Sequence, residues 1–210
     1  MPKIPAVARE EWKQRFLALS TANEILQLRD QVVQTYPYAF DDFVRNAYVA
    51  GKFAKARDLE RVTLRDEPPD FVLKHENGVD CFFEATEALD PYRRRDYEYR
   101  EIMAKERAGL STVQHDPVEN WLTPEKAGQW LRAAAFKKAK KQYPSGTSLV
   151  IYLNGSEYGT MRDEIVAAIV PGTEPAKDNF KEIWVLWDSR AYLAWRNGKP
   201  LPHMLHPPVT

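Results

Sequence analysis

Cysteine is nearly absent from this sequence, and charge of one sign is not in excess. The single thiol, Cys81, excludes an internal disulfide and most thiolate metal sites. Thirty basic residues balance thirty acidic ones, so net charge gives no global argument for nucleic-acid binding, although a local basic face remains open. No apolar run approaches the length of a membrane span, and the N-terminus has no signal-peptide core. These absences predict a cytoplasmic protein with no membrane partner.

Motifs of several enzyme classes are missing as well. The sequence has no Walker loop, no dinucleotide-binding glycine pattern and no nucleophile elbow. His115, His203 and His206 show no metal-ligand spacing with one another. What the chain does have is 210 residues, 44% of them hydrophobic and 29% charged, which is enough for one sizeable globular core.

Hydrophobic periodicity predicts a helical first third and an α/β remainder. The predicted helices lie at about 9–19, from 21 to the proline at 37, and at 38–59, 90–108, 123–143 and 158–170. Two of them have start signals, a capping box at Thr21 and Glu24 and the pair Thr123-Pro124. The apolar runs 149–153 and 183–187 are typical of buried strands, and the helix between them completes a right-handed βαβ unit. Residues 192–195 are expected to add an edge strand.

The segment from Asp70 to Thr86 predicts a β-hairpin, for which two registers are open. A two-residue Asn77-Gly78 turn would place Phe71 opposite Glu84, mixing polar with apolar side chains. A three-residue loop with Gly78 in the left-handed conformation places Phe71 opposite Phe83, and Asp70 opposite Glu84. Because opposed residues share a face, the second register separates a core side from a polar side, and we prefer it.

Pro69-Asp70 followed across the hairpin by Glu84-Ala85-Thr86 resembles the signature of the PD-(D/E)XK nuclease superfamily. More narrowly, it looks like a bacterial subgroup with threonine in place of the usual lysine. The similarity in element order covers roughly 59–187, whereas the matching motif is the hairpin alone. The resemblance implies a restriction-endonuclease-like α/β fold, with a mixed central sheet flanked by helices. It also implies hydrolysis of phosphodiester bonds in restriction, defence or repair.

Phosphodiester hydrolysis requires a hard divalent cation with oxygen ligands, and the hairpin offers such ligands. Asp70 and Glu84, on neighbouring strands, are expected to converge on Mg²⁺ or Mn²⁺, joined by the Ala85 backbone carbonyl. By similarity to the superfamily, an acid from the preceding helix adds a ligand, and Glu60 is the candidate.

The departure from the superfamily pattern lies at Thr86, which can hydrogen-bond and orient water or phosphate but supplies no positive charge. In similar proteins the missing lysine can migrate to a helix packed over the site. The lysine run before strand 149–153 is the natural source, and we expect Lys137 or Lys140 to take that role.

These inferences divide the chain into an N-terminal helical segment packed on the core (1–58), an α/β core (59–199) and a loosely attached, proline-rich tail (200–210). The expected partner is nucleic acid, with DNA favoured over RNA, and a second copy or a partner subunit remains open. Two rival functions remain. One is a catalytically inactive module of the same fold that binds nucleic acid or protein, and the other is a small-molecule hydrolase using the same acids.

Overall fold

The computed structural model of the chain describes residues 4–36, 41–74, 78–90, 121–155 and 161–206, the last five of them through the backbone alone. Two predicted features lie outside these residues, namely most of the helix at 90–108 and the histidine at 75. Among the described residues, no helix is both long enough and apolar enough to cross a membrane.

The structure is an α/β fold in which three helices precede the sheet and further helices connect its parallel strands. The helices are α1 (Ala6–Leu17), α2 (Ala22–Thr35), α3 (Asp42–Ala56), α4 (Pro124–Ala139), α5 (Arg162–Ala167) and α6 (Ile169–Thr173). The strands are β1 (Val62–Leu64), β2 (Phe71–Lys74), β3 (Asp80–Ala88), β4 (Ser148–Leu153), β5 (Glu182–Trp187), β6 (Arg190–Arg196) and β7 (Lys199–His206).

The described strands form one mixed sheet in which sequence order and spatial order coincide, from β1 to β7. The pairs β3–β4 and β4–β5 are parallel, and every other pair is antiparallel. A parallel connection needs a crossover, which α4 supplies between β3 and β4. The helices α5 and α6 lie between β4 and β5, so the predicted βαβ unit is confirmed.

The β2–β3 hairpin adopts the preferred register. Phe71 lies opposite Phe83, Leu73 opposite Cys81 and Lys74 opposite Asp80. Gly78 has a φ of 77°, the left-handed conformation that the three-residue loop requires. The register therefore sends the odd-numbered and even-numbered residues of β3 to opposite faces of the sheet.

The two sheet faces carry separate hydrophobic clusters. On one face, α1, α2 and α3 pack on a cluster that includes Phe83 and Ala85. On the other face, α4, α5 and α6 pack on a cluster that includes Ala88 and Leu149. Because strand side chains alternate, Glu84 and Thr86 share the face of Ala88 and lie beneath α4. Two buried polar residues therefore lie at the margin of the hydrophobic cluster beneath α4.

The end of the chain corrects two predictions. Residues 199–206 form β7 and pair with β6, so most of the expected tail belongs to the sheet. Consequently the strand predicted at 192–195 is an internal strand, β6, rather than an edge. β7 contains Pro200 and Pro202, which lowers its strand signal in the sequence, but proline is tolerated in an edge strand because one side of that strand needs no donor.

Candidate active site

The aspartate at the start of the hairpin is held by two donors. Asp70 directly precedes β2, and its backbone carbonyl accepts a hydrogen bond from the Arg65 N–H at 2.8 Å. Its Oδ2 accepts from the Ala85 backbone N–H of β3 at 2.7 Å, and its Oδ1 accepts from Asn46 Nδ2 of α3 at 2.8 Å. Two elements thus fix the orientation of the carboxylate before any ligand binds.

The glutamate on β3 is buried beneath α4 and forms an ion pair. Glu84 has 4% of its surface exposed, and Lys138 has 8%. Lys138 Nζ donates to Glu84 Oε1 at 2.5 Å, while Glu84 Oε2 has no hydrogen-bond partner among the described residues. A buried charge is stable only when it is paired, so Lys138 accounts for the burial of the Glu84 carboxylate through Oε1.

Electrostatic effects show that the two carboxylates influence each other. The pKa of Asp70 is raised, first by burial and then by the negative charge of Glu84. The hydrogen bond from Ala85, the charge of Lys138 and the hydrogen bond from Asn46 act in the opposite direction. Two acids that repel each other in a partly buried site are a common feature of functional sites, because a bound cation relieves the repulsion.

Tyr143 adds a phenol to this group. Burial and the negative charge of Glu84 raise the pKa of Tyr143. A hydrogen-bonding interaction between the Tyr143 hydroxyl and Glu84 raises this pKa further, although the buried hydroxyl and the buried Glu84 Oε2 make no bond of ordinary length and angle with a described residue. The site therefore contains a neutral phenol that interacts with the Glu84 carboxylate.

The structure brings Asp70, Glu84 and Ala85 together as predicted. Thr86 is buried on the same face of β3 as Glu84, one position further along that face. Backbone N–H and C=O groups of one strand residue point to the same neighbouring strand, so the Ala85 carbonyl is directed to the side on which its N–H bonds Asp70. Both main-chain groups of Ala85 thus face the aspartate.

The lysine of α4 that pairs with Glu84 is Lys138, rather than the predicted Lys137 or Lys140. Both of these side chains are exposed, and Lys140 Nζ lies 4.1 Å from the centre of the Phe136 ring. The sequence does contain a signal for Lys138. The buried residues of α4 are spaced three or four apart, and Lys138 continues their stripe seven residues after Leu131 and four after Ala134.

Glu60 does not join the site. It is exposed and lies after the end of α3 rather than within the helix. β1 runs antiparallel to β2 with Val62 opposite Leu73 and Leu64 opposite Phe71, so Glu60 is at the end of the hairpin remote from Asp70. The helix residue that reaches Asp70 is Asn46, which precedes the buried residues Ala50 and Phe53 by one and two helical turns.

The protein ligands described at this site do not by themselves complete the coordination shell of a metal ion. The described residues contain no cluster of three or more His, Cys, Asp or Glu side chains that could hold a metal ion. Two carboxylates and a backbone carbonyl nevertheless match the oxygen ligands of Mg²⁺, which usually retains several waters and is bound by only one or two carboxylates. Glu84 Oε2, which Lys138 does not contact and which makes no hydrogen bond of ordinary length and angle with a described residue, is the atom that most clearly fits a ligand role.

No protein-family model, no curated protein and no solved structure with which we compared the chain matches it.

Proposed function

We propose that the protein is a metal-dependent nuclease with a restriction-endonuclease-like core, hydrolysing phosphodiester bonds in nucleic acid. The observation that carries this proposal is that the two oxygens of Glu84 have different surroundings. Oε1 accepts from Lys138, whereas Oε2 is buried and makes no hydrogen bond of ordinary length and angle with a described residue, the Tyr143 hydroxyl interacting with this carboxylate more weakly. Beside it lies Asp70, a second acid already oriented by Asn46 and Ala85.

The residues that would hold the cation are Asp70, Glu84 and the carbonyl of Ala85. Each oxygen of Asp70 accepts one hydrogen bond, and a carboxylate oxygen has capacity for a second interaction. When bound, Mg²⁺ or Mn²⁺ supplies Lewis-acid polarisation of a phosphoryl oxygen and lowers the pKa of water. A cation between the two acids also relieves the repulsion that raises the pKa of Asp70.

The protein's own groups would orient substrate and water around that centre. Lys138 fixes the rotamer of Glu84 and supplies the positive charge that Thr86 cannot. Tyr143, kept protonated by burial and by Glu84, presents a hydroxyl that can donate to a phosphate oxygen. Thr86 lies on the same strand face and contributes a hydroxyl donor or acceptor.

The order of elements supports the fold assignment within this proposal. A helix, a three-stranded antiparallel unit, a crossover helix and two parallel strands follow one another from α3 to β5. The acids lie in the antiparallel unit and the lysine on the crossover helix. This is the arrangement that the similarity to the PD-(D/E)XK superfamily implies, with the lysine moved from strand to helix.

Cleavage of a panel of single- and double-stranded DNA and RNA with Mg²⁺ or Mn²⁺ tests the proposal. Asp70→Asn and Glu84→Gln remove a charge each while preserving shape, and Glu84→Gln still offers Lys138 an amide oxygen. Glu87→Gln is the matched control, because Glu87 is on the same strand but the opposite face and its Oε1 accepts from Asn154. We expect cleavage by the wild type and by Glu87→Gln, and a loss of at least about 100-fold in the other two.

Cleavage that persists in both Asp70→Asn and Glu84→Gln would contradict the proposal, since a different site or a contaminant would then be responsible. Circular dichroism of each variant shows whether a loss reflects chemistry or unfolding. A loss of activity in Glu87→Gln equal to that in Glu84→Gln would likewise contradict a specific role for Glu84.

A second candidate, a non-catalytic module of the same fold, is favoured by one observation. The charge of Glu84 is already paired with Lys138, and Asp70 already has two donors, so protein groups partly compensate both carboxylates without a cation. Such a module would show neither cleavage nor metal affinity, and binding of Mn²⁺ separates the two functions.

A further inference from the structure

A basic surface with an exposed aromatic ring lies on the outer face of α4, the helix whose inner face carries Lys138 to Glu84. Residues 124–141 contain six basic side chains and one acid, in a chain whose net charge is zero. Lys138 points inward to Glu84, while its neighbours Lys137, Lys140 and Lys141 are exposed. We define the α4 stripe as these exposed residues: Arg132, Phe136, Lys137, Lys140 and Lys141.

The three exposed lysines of the stripe form no salt bridge with any residue that the structure describes. Cations in the last turn of a helix favour the negative end of its dipole, but one lysine suffices for that. The dipole also does not explain Arg132, which lies two turns before Lys140. The α4 stripe therefore has positive charge that no described carboxylate neutralises, although Lys140 also contacts the face of the Phe136 ring.

Phe136 is an aromatic residue in a position where apolar side chains are unfavourable. It is 54% exposed, and Lys140 and Arg132 lie one turn to either side on the same helix face. A ring set among lysines can stack a base while the lysines contact phosphates, which is how proteins bind single strands.

A second exposed ring lies beside the carboxylates themselves. Phe82 is 39% exposed and precedes Glu84 by two residues, on the same face of β3. The Arg65 guanidinium lies 5.6 Å from the centre of the Phe82 ring. The edge of the site therefore repeats the pattern of the α4 stripe, an exposed aromatic ring accompanied by a cation.

We propose that the protein takes single-stranded nucleic acid, with phosphates on the lysines of the α4 stripe and unpaired bases on Phe136 and Phe82. This inference rests on the proposed nuclease function and names the form of its substrate. Duplex DNA buries its bases in stacks, so it would gain the charge contacts without the stacking. Unpaired bases have both faces free.

Fluorescence anisotropy with labelled oligothymidine of about 20 nucleotides, longer than a typical single-strand site, measures binding separately from cleavage. The titrations contain EDTA and use the Glu84→Gln background, so neither metal nor hydrolysis contributes. Lys137→Gln/Lys140→Gln/Lys141→Gln is compared with Lys52→Gln/Lys55→Gln/Lys199→Gln, which removes the same charge from lysines of α3 and β7, away from α4 and the β2–β3 hairpin. Phe136→Ala and Phe82→Ala are measured alone.

The α4 triple variant is expected to bind at least about tenfold more weakly at 50 mM salt and to lower the slope of log K against log salt by about 2, since three phosphate contacts are lost. Each phenylalanine variant should weaken single-strand binding by about fivefold or more and leave duplex binding unchanged. The control triple variant should retain most of the affinity.

Equal affinities of the two triple variants would overturn the proposal, as would tighter binding of a matched duplex than of the single strand. Unchanged binding in both phenylalanine variants would also overturn it. None of these results depends on cleavage. A nuclease that fails this test would keep its catalytic assignment, and a protein that passes it without cleaving would be the binding module.

Discussion

At the scale of the residue, the interaction with the largest energetic consequence is the buried ion pair of Glu84 and Lys138. Both side chains are removed from water, and each is compensated by the other. Removing one partner of such a buried pair typically costs about 3–5 kcal/mol, because the remaining charge is left unpaired. A well-packed hydrophobic pair would serve stability as well, so stability alone does not explain the presence of these two residues.

Asp70 is the residue whose protonation couples stability to pH. Its pKa is raised in the folded state by burial and by Glu84, so the folded protein holds this proton more tightly than the unfolded chain does. The stabilising contribution is complete below the ordinary aspartate pKa of about 3.9 and is lost as the pH rises through the raised folded value. Above that value the ionised Asp70 opposes folding.

Asp70→Asn is therefore expected to increase the free energy of unfolding at neutral pH, by about 1 kcal/mol, the usual size of a single stabilising substitution. The amide introduced at position 70 accepts a hydrogen bond from the Ala85 N–H. It donates to the side-chain oxygen of Asn46 once the Asn46 amide has flipped. Urea unfolding from about pH 4 to 8 measures the difference, which should grow with pH. Asp178→Asn, at an exposed position, is the control. A difference that stays constant across the series would contradict this reading of Asp70.

The sequence predicted the position of a residue correctly where the local pattern of polar and apolar side chains determines that position. The two acids follow from a hairpin register that sorts polar from apolar side chains, and the structure has that register. Lys138 and Asn46 were missed because their placement depends on how a helix is rotated over the sheet. For Lys138 the apolar stripe of α4 contained that information, since the lysine occupies a stripe position.

At the scale of the element, α4 determines whether the lysine reaches the site, and its position is set by a close contact with α6. A Cβ added to Gly172 would lie 3.0 Å from Leu131 Cβ and 3.1 Å from the Gly128 carbonyl oxygen. Both neighbours belong to α4, and one is backbone, so neither can move aside cheaply.

Gly172→Ala is accordingly expected to destabilise the protein by about 1–3 kcal/mol, the usual cost of overpacking. Gly128→Ala is the matched variant with the opposite expected sign. Its nearest neighbour, Ala168 Cβ, is at an ordinary 3.8 Å, and alanine in a helix interior gains up to about 1 kcal/mol over glycine. Urea unfolding measures both. Equal effects of the two substitutions would show that the α4–α6 contact does not set the position of α4.

The elements that prediction missed share a physical cause. β1 has three residues, too few to show strand alternation, and is stabilised by pairing with β2. β7 contains prolines that are unfavourable inside a sheet and acceptable at its edge, a position that depends on the topology of the whole sheet. Both strands form because they pair with another strand of the sheet, and their own short sequences do not predict that pairing.

At the scale of the whole molecule, one sheet separates two hydrophobic clusters, and the candidate site lies where polar residues enter the cluster beneath α4. The N-terminal helices contribute Asn46 from the opposite side of the hairpin. Neutral net charge is compatible with nucleic-acid binding because residues 124–141 carry a local excess of six basic side chains over one acid, which is balanced elsewhere in the chain.

The central claim is that Asp70 and Glu84 together bind a divalent cation, and titration of the protein with Mn²⁺, followed by calorimetry, tests it most directly. Saturable binding at a single site is expected in the wild type and in Glu87→Gln, with affinity weakened by about tenfold or more in Asp70→Asn and in Glu84→Gln. Absence of Mn²⁺ binding at millimolar concentration, or binding that neither of the two substitutions weakens, would contradict the account.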